Sequence, residues 1–161
     1  MSDETVVEKT VGEKNAGENI VSKKITGGCL CGQLRYEASA APLRQGLCCC
    51  ADCRKASGSG FIPFMGFAAG TIKFKGRVAM HEMRHLDGRV AERNFCPQCG
   101  GLVFGGKVGN ARGHTIYAGS LDDPSRFKPQ MAIFLRDKPD WVVIPAGLFV
   151  FDTMPPGPKP E

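Results

Sequence analysis

Eight cysteines confined to three short groups constrain this 161-residue chain more than any other feature of its sequence. The groups are Cys29-Leu-Cys31, Cys48-Cys-Cys-Ala-Asp-Cys53 and Cys96-Pro-Gln-Cys99. An even number of cysteines in a small secreted domain often forms disulfides, whereas clustered cysteines in a reducing compartment are more often metal ligands. Soft thiolates without histidine favour zinc, with an iron–sulfur cluster as the alternative. The pattern therefore predicts zinc ligation.

The N-terminus and the hydropathy of the chain favour a reducing compartment. Residues 1–9 are acidic and polar, whereas a secretory signal begins with basic and then apolar residues. No window approaches the ~18 consecutive apolar residues of a membrane span. We therefore expect a soluble, cytoplasmic protein with no membrane partner.

The formal net charge of +5 suggests nucleic-acid binding at first sight, but it counts every cysteine as neutral. Two Zn²⁺ ions add +4 and seven ligating thiolates add −7, which brings the total to about +2. Such a charge is ordinary for a soluble domain. We therefore do not expect a nucleic-acid partner.

The sequence divides into one folded domain and two polar ends. Residues 1–24 have mixed charge and few apolar side chains, which predicts disorder. Residues 153–161 form a proline-rich tail that suits neither helix nor sheet. Between them, residues 25–152 show short alternating apolar runs separated by glycine and proline. This pattern is typical of a mainly β domain.

Two local signals define elements within that domain. Asp87-Gly88 lies between two strand-like runs, 78–83 and 90–95, and predicts a hairpin with a type I′ turn. Asp52 is predicted to cap a short helix over 53–57, which ends at the following glycine.

The spacing within the cysteine groups suggests how the sulfurs converge. In a strand, residues i and i+2 point to the same side, so the two cysteines of the first group can share one ion. By the same argument Cys48 and Cys50 share a face, and Cys49 opposes them. Cys53 can return to that ion through a turn, which gives three ligands.

The pairing of the groups stays open at this point. The third group, followed by Gly100, has the form of a zinc knuckle and needs two more ligands. If the first group supplies them, the second group keeps three sulfurs and an open position. A closed site is structural, whereas an open one binds substrate or water. Alternatively, Cys49 completes a second closed site, and the chain is a zinc-stabilised module that binds a protein or nucleic acid.

The motifs resemble the glutathione-dependent formaldehyde-activating enzyme family. The resemblance covers essentially the whole folded domain and is carried by the runs at 27–36 (GGCLCGQLRY), 48–58 (CCCADCRKASG), 95–100 (FCPQCG), 119–124 (GSLDDP), 129–134 (PQMAIF) and 139–141 (PDW). It implies a β-tent fold with two zinc ions per chain. The implied structural zinc has the ligands Cys29, Cys31, Cys96 and Cys99. The implied second zinc has the ligands Cys48, Cys50 and Cys53.

The resemblance also implies an activity. The family reaction joins glutathione to formaldehyde, giving S-hydroxymethylglutathione, or cleaves that adduct as a carbon–sulfur lyase. Cys48, Cys50 and Cys53 would be the catalytic residues, and the partners would be a small thiol and an aldehyde. This sequence departs from many relatives at Cys49 and Ala132, where they have histidine. Neither position is a zinc ligand in the family.

Glutathione carries two carboxylates that a binding site must accommodate. The nearest basic residues to the second cysteine group are Arg54 and Lys55. Arginine suits carboxylates because its planar guanidinium group can donate two parallel hydrogen bonds. The two residues are therefore candidates for binding glutathione, with a solvated helical face as the alternative interpretation.

Overall fold

The computed structural model describes residues 24–84, 88–109 and 111–156, and this part of the chain is mainly β. Residues 1–23 and 157–161, which belong to the two predicted terminal segments, lie outside the described residues. The strands are β1 (Ile25–Gly28), β2 (Arg35–Ala38), β3 (Arg44–Cys48), β4 (Ile62–Phe67), β5 (Ile72–Lys75), β6 (Ala79–Arg84), β7 (Val90–Phe95), β8 (Leu102–Gly105), β9 (His114–Tyr117), β10 (Met131–Ile133) and β11 (Phe149–Phe151). The helices are α1 (Ala51–Ser57) and the 3₁₀ turns Ala118–Ser120, Pro124–Arg126 and Leu135–Asp137.

The strands form a small sheet and a large one. The small sheet has the order β1-β2-β5, and the large sheet has the order β11-β10-β3-β4-β9-β8-β7-β6. Pairing is antiparallel except that β10 lies parallel to both β3 and β11. The predicted fold class, a mainly β domain of short antiparallel sheets, is confirmed.

The core contains the alternating residues that predicted the strands. Leu34, Tyr36 and Ala38 are all buried, while the residues between them are partly exposed. Phe104 of the large sheet is fully buried and stacks on Phe74 of the small sheet, with ring centroids 3.9 Å apart. Full burial of such a side chain contributes about 1.5–3 kcal/mol, so this layer holds the two sheets together.

The predicted hairpin is present as β6 and β7. The two strands pair from Ala79 with Phe95 to Arg84 with Val90. Gly88 has a φ of 82°, the left-handed conformation that glycine adopts readily. Residues 85–87, which include the predicted turn residue before Gly88, lie outside the described residues.

The predicted helix is confirmed as α1, but its predicted cap is wrong. Cys50 occupies the N-cap, and its sulfur accepts a hydrogen bond from the backbone N–H of Cys53 at 3.4 Å. Asp52 lies inside the first turn, and Gly58 ends the helix with a φ of 63°. In the part of the chain that the structure describes, helices are too short and too polar to cross a bilayer.

Candidate metal centres

The first and third cysteine groups meet where the two sheets approach each other. Cys29 and Cys31 follow β1 of the small sheet, and Cys96 and Cys99 follow β7 of the large sheet. The four sulfurs all lie within 4.8 Å of one another. The pairing that spacing left open is therefore the one implied by the family resemblance, and the cluster connects the two sheets.

The distances within this four-cysteine site fit a metal ion and not disulfides. The sulfurs of Cys29 and Cys31 are 3.6 Å apart, and those of Cys31 and Cys96 are 3.7 Å apart. Four sulfurs placed ~2.3 Å from a tetrahedral Zn²⁺ are about 3.8 Å apart, whereas a disulfide requires about 2.05 Å. All eight cysteines are free. The donor set therefore suits zinc.

A turn, not a strand, brings the first pair of sulfurs together. β1 ends at Gly28, and the amide of Gly32 donates to the carbonyl of Cys29 at 3.1 Å. The prediction of a strand across Cys29 and Cys31 is wrong. The prediction fails because residues i and i+2 of a strand are about 6.6 Å apart along the chain, which is farther than two sulfurs that share one ion. The turn places the sulfurs much closer.

Backbone amides favour the thiolate form in this site. Although burial raises the pKa of Cys29, the amide of Leu34, which donates to its sulfur at 3.2 Å, and the neighbouring thiols lower that pKa to about 6. The amides of Cys31 and Gly101 lower the pKa of Cys99. The amide of Gln33 also lowers the pKa of Cys31, but burial and the neighbouring thiols raise that pKa to about 12. Thiolates are the form that binds metal, so the backbone amides favour ligation most clearly at Cys29 and Cys99.

The second cysteine group forms a three-sulfur site at the end of β3. Cys48 is the last residue of that strand, Cys50 caps α1, and Cys53 lies in its first turn. Their sulfurs also lie within 4.8 Å of one another, with those of Cys48 and Cys50 3.5 Å apart. The sequence placed Cys50 on a strand, but β3 ends at Cys48 and Cys50 is the N-cap of α1.

Cys49 does not join the three-sulfur site. It is fully buried, and its amide donates to the carbonyl of Ile133 in the neighbouring strand at 3.0 Å. Among the described residues, the group of sulfurs that could hold an ion contains only the other three cysteines. The alternative in which Cys49 closes a four-sulfur site is therefore wrong, and burial accounts for the raised pKa of its thiol.

Hydrogen bonds between the three thiols concentrate negative charge on one sulfur. The thiols of Cys48 and Cys53 lower the pKa of Cys50 to about 2, and the pKa of Cys48 is raised because it donates to that sulfur. Arg93 lies on the same side, with a guanidinium nitrogen 3.7 Å from the Cys53 sulfur. Arg93 therefore places a cation against the three sulfurs.

The three-sulfur site opens into a large cavity, of about 1190 Å³. Ligand pockets usually enclose about 300–1000 Å³, so this cavity has room for a ligand of peptide size. Phe64, Ile133 and Phe134 give it an apolar wall beside the cysteines. Six arginines also line the cavity, namely Arg44, Arg84, Arg89, Arg93, Arg112 and Arg136. Asp52, Glu92 and Asp137 line it as well.

The basic residues proposed from the sequence do not line this cavity. Arg54 instead donates from its Nε to the carbonyl of Cys49 at 3.2 Å, and Lys55 is exposed on the helix. Five of the six arginines that do line it lie more than 30 positions beyond Cys53 in the chain, and the sixth, Arg44, begins β3. Sequence proximity to Cys53 was therefore a poor guide to the cavity lining.

Comparison with known families bears on these two sites. A sequence model of the family described as glutathione-dependent formaldehyde-activating enzyme matches residues 24–137, well over half of the chain. The chain belongs to this family. The match includes both cysteine sites and ends before β11. Glutathione-dependent formaldehyde activation is thus the reaction class of the family, although none of the curated proteins compared matches this chain.

Sequence reasoning missed two residues at the open site, Arg93 and Tyr117. Both are buried, and a guanidinium nitrogen of Arg93 donates to the Tyr117 hydroxyl at 3.2 Å. The only sequence signal was a charged residue three positions before Cys96 in a predicted strand. Nothing in that pattern indicates that β7 turns this side chain toward Cys53.

Proposed function

We propose that this protein is a zinc-dependent carbon–sulfur lyase or synthase that forms or cleaves S-hydroxymethylglutathione. The observation that carries the proposal is the difference between the two cysteine sites. Four sulfurs make one site complete, whereas three sulfurs face a cavity at the other. A complete site is structural, and a site with a free position binds substrate.

The four-cysteine site would hold the zinc that stabilises the fold. It lies between the small and the large sheet, and Cys96 is almost fully buried within the core. Metal binding there adds directly to the free energy of folding. Its four cysteines do not line the cavity that the three-sulfur site faces, so it has no role in our account of catalysis.

Cys48, Cys50 and Cys53 would hold the catalytic zinc. Such an ion acts as a Lewis acid and accepts a thiol at its free position. Lowering the pKa of a thiol also lowers its intrinsic nucleophilicity, so the positioning of the two reactants contributes more than thiol activation. The cavity lining therefore determines much of the rate.

The lining offers groups for each part of the substrate. The exposed arginines of the lining, Arg44, Arg84 and Arg136 among them, suit the two carboxylates of glutathione because guanidinium groups bind carboxylates in a bidentate manner. The apolar wall formed by Phe64 and Phe134 excludes water near the reacting carbon.

The reaction itself is balanced and involves no redox change. A lone pair of the glutathione sulfur attacks the carbonyl carbon of formaldehyde, and the C–S bond forms as the C=O π bond breaks. The thiol gives up its proton, and the former carbonyl oxygen becomes a hydroxyl by taking one. Cleavage of the adduct is the same step in reverse, which gives the lyase activity.

The test is the rate of adduct formation from glutathione and formaldehyde, measured against the spontaneous reaction. We expect the zinc-loaded protein to exceed the spontaneous rate and the Cys50→Ser variant to return to it. Cys49→Ser is the matched control, because it changes a cysteine outside both sites and should keep the activity. A wild-type rate equal to the spontaneous rate would contradict the proposal and favour a zinc-stabilised binding module.

A further inference from the structure

Arg93 carries a positive charge in the buried interior of this protein. It lies in the middle of β7, is only 8% exposed, and is the one lysine or arginine among the buried described residues. A buried charge is strongly unfavourable unless a counter-charge and hydrogen bonds satisfy it. The position therefore calls for an explanation beyond packing.

The surroundings of Arg93 contain no carboxylate partner. Within the described ranges, no acidic side chain pairs with it. One guanidinium nitrogen donates to the Tyr117 hydroxyl at 3.2 Å, and another lies 3.7 Å from the Cys53 sulfur. Tyrosine is neutral here, since burial raises the pKa of Tyr117. The counter-charge of Arg93 is thus the three-cysteine site.

The fold fixes this guanidinium in place. β7 lies between β6 and β8, so Arg93 pairs with His81 on one side and with Gly105 on the other. A methyl group at Gly105 would come within 3.0 Å of the Tyr117 hydroxyl oxygen. Glycine at this position leaves room for the hydroxyl that holds Arg93.

The net charge of the metal site indicates which kind of fourth ligand such a cation favours. Three thiolates around Zn²⁺ carry a net charge of −1, and a fourth thiolate would bring it to −2. A neutral fourth ligand, such as water or imidazole, leaves it at −1. A buried cation near Cys53 therefore favours a thiolate over a neutral ligand at the free position.

We propose that Arg93, held by Tyr117, is a positioning residue that makes the three-cysteine site select a thiolate as its fourth ligand. The inference rests on the proposed function, because it assumes an open metal site. It goes further by assigning the preference for a thiol substrate to one side chain. A unit charge about 6 Å away at an effective dielectric constant near 20 changes an affinity by roughly a hundredfold.

The experiment compares two small probes on cobalt-substituted protein. 2-Mercaptoethanol binds as a thiolate, and imidazole binds as a neutral ligand. Neither probe has a carboxylate that could bind the exposed arginines of the cavity lining. Their dissociation constants are read from the cobalt absorption spectrum. We expect Arg93→Met to weaken 2-mercaptoethanol binding about ten- to a hundredfold, since solvent in the cavity screens part of the charge, and to leave imidazole binding within about twofold.

Control variants separate the charge from a structural effect. Lys55→Met removes a positive charge from the exposed face of α1, outside the cavity, and should leave both dissociation constants within about twofold. Arg93→Lys keeps the charge but lacks the second donor arm and should fall between the wild type and Arg93→Met. If Arg93→Met does not fold, Arg93→Lys and Tyr117→Phe carry the test, and each should weaken thiolate binding more than imidazole binding.

The outcomes distinguish this inference from the proposed function. Equal weakening of both probes would assign Arg93 a merely structural role and overturn the inference, as would unchanged thiolate binding in Arg93→Met. Wild-type protein that binds neither probe has no open position, which would overturn the proposed function itself. Selective loss of the thiolate probe supports both.

Discussion

Replacing Cys96 with serine tests the structural role of the four-cysteine site. Cys96 is 1% exposed, its sulfur lies 3.7 Å from that of Cys31, and it connects the end of β7 to the small sheet. Cys49 provides a matched control, because it is equally buried but belongs to neither site. Both Cys→Ser substitutions bury a hydroxyl, and only Cys96→Ser also removes a metal ligand.

The expected magnitudes follow from the size and the ligand number of the site. A structural zinc contributes about 10–16 kcal/mol, so a quarter share for one of four ligands is about 2.5–4 kcal/mol. Burying a serine hydroxyl costs about 1–2 kcal/mol more. About 130 described residues give an unfolding entropy of roughly 0.27 kcal/mol/K. Tm should therefore fall by about 13–22 °C in Cys96→Ser and about 4–7 °C in Cys49→Ser.

The assay is thermal unfolding of zinc-loaded protein, combined with metal analysis of the same samples. At saturating zinc, Cys96→Ser should keep two zinc ions per chain but release one of them at a lower chelator concentration than the wild type. Cys49→Ser should keep two zinc ions and release them as the wild type does. Equal Tm losses in the two variants, with zinc release at the same chelator concentration, would refute the assignment of Cys96 as a ligand.

Three further predictions concern the open site, a tight contact and a buried histidine. Cys50→Ser should keep the fold but lose one of two zinc ions, and metal analysis that still finds two would contradict the assignment. Gly27→Ala should lower Tm by about 4–11 °C, because a methyl group there would overlap the Ser120 carbonyl; Gly119→Ala, which has open space, should leave it unchanged. Burial lowers the pKa of His114, so the unfolded chain takes up a proton first and stability should fall as pH drops below about 6.5. The stability of His114→Phe, measured by denaturant unfolding, should lack this loss at low pH. A pH dependence identical to that of the wild type would refute the prediction.

The cysteine pattern predicted which sulfurs come together better than it predicted the backbone around them. Spacing identified three ligand groups because sulfur ligands recur at short intervals in metal sites. Spacing did not fix backbone conformation, since a strand and a turn both place two cysteines on one side. Cys31 therefore lies in a turn, and Cys50 serves as a helix cap. The sulfur of Cys50 took the capping role expected of Asp52.

Other features depend on contacts between residues far apart in sequence. β10 pairs in parallel with β3, although α1 and six strands separate the two in the chain. Arg93 meets Cys53 across 40 positions of sequence, and Tyr117 meets Arg93 across 24. Such contacts arise from the sheet order, which a single sequence does not specify. Arg93 and Tyr117 could therefore not be predicted from the sequence, whereas alternating core residues such as Leu34 could.

Sulfur coordination of zinc, measured by X-ray absorption with and without glutathione, tests the central claim most directly. Four sulfurs at one site and three at the other give an average of about 3.5 sulfur neighbours per zinc. Glutathione bound through its thiol at the open site should raise that average to about 4. A value of 4 before glutathione is added, or one that stays at 3.5 at saturating glutathione, would contradict the account.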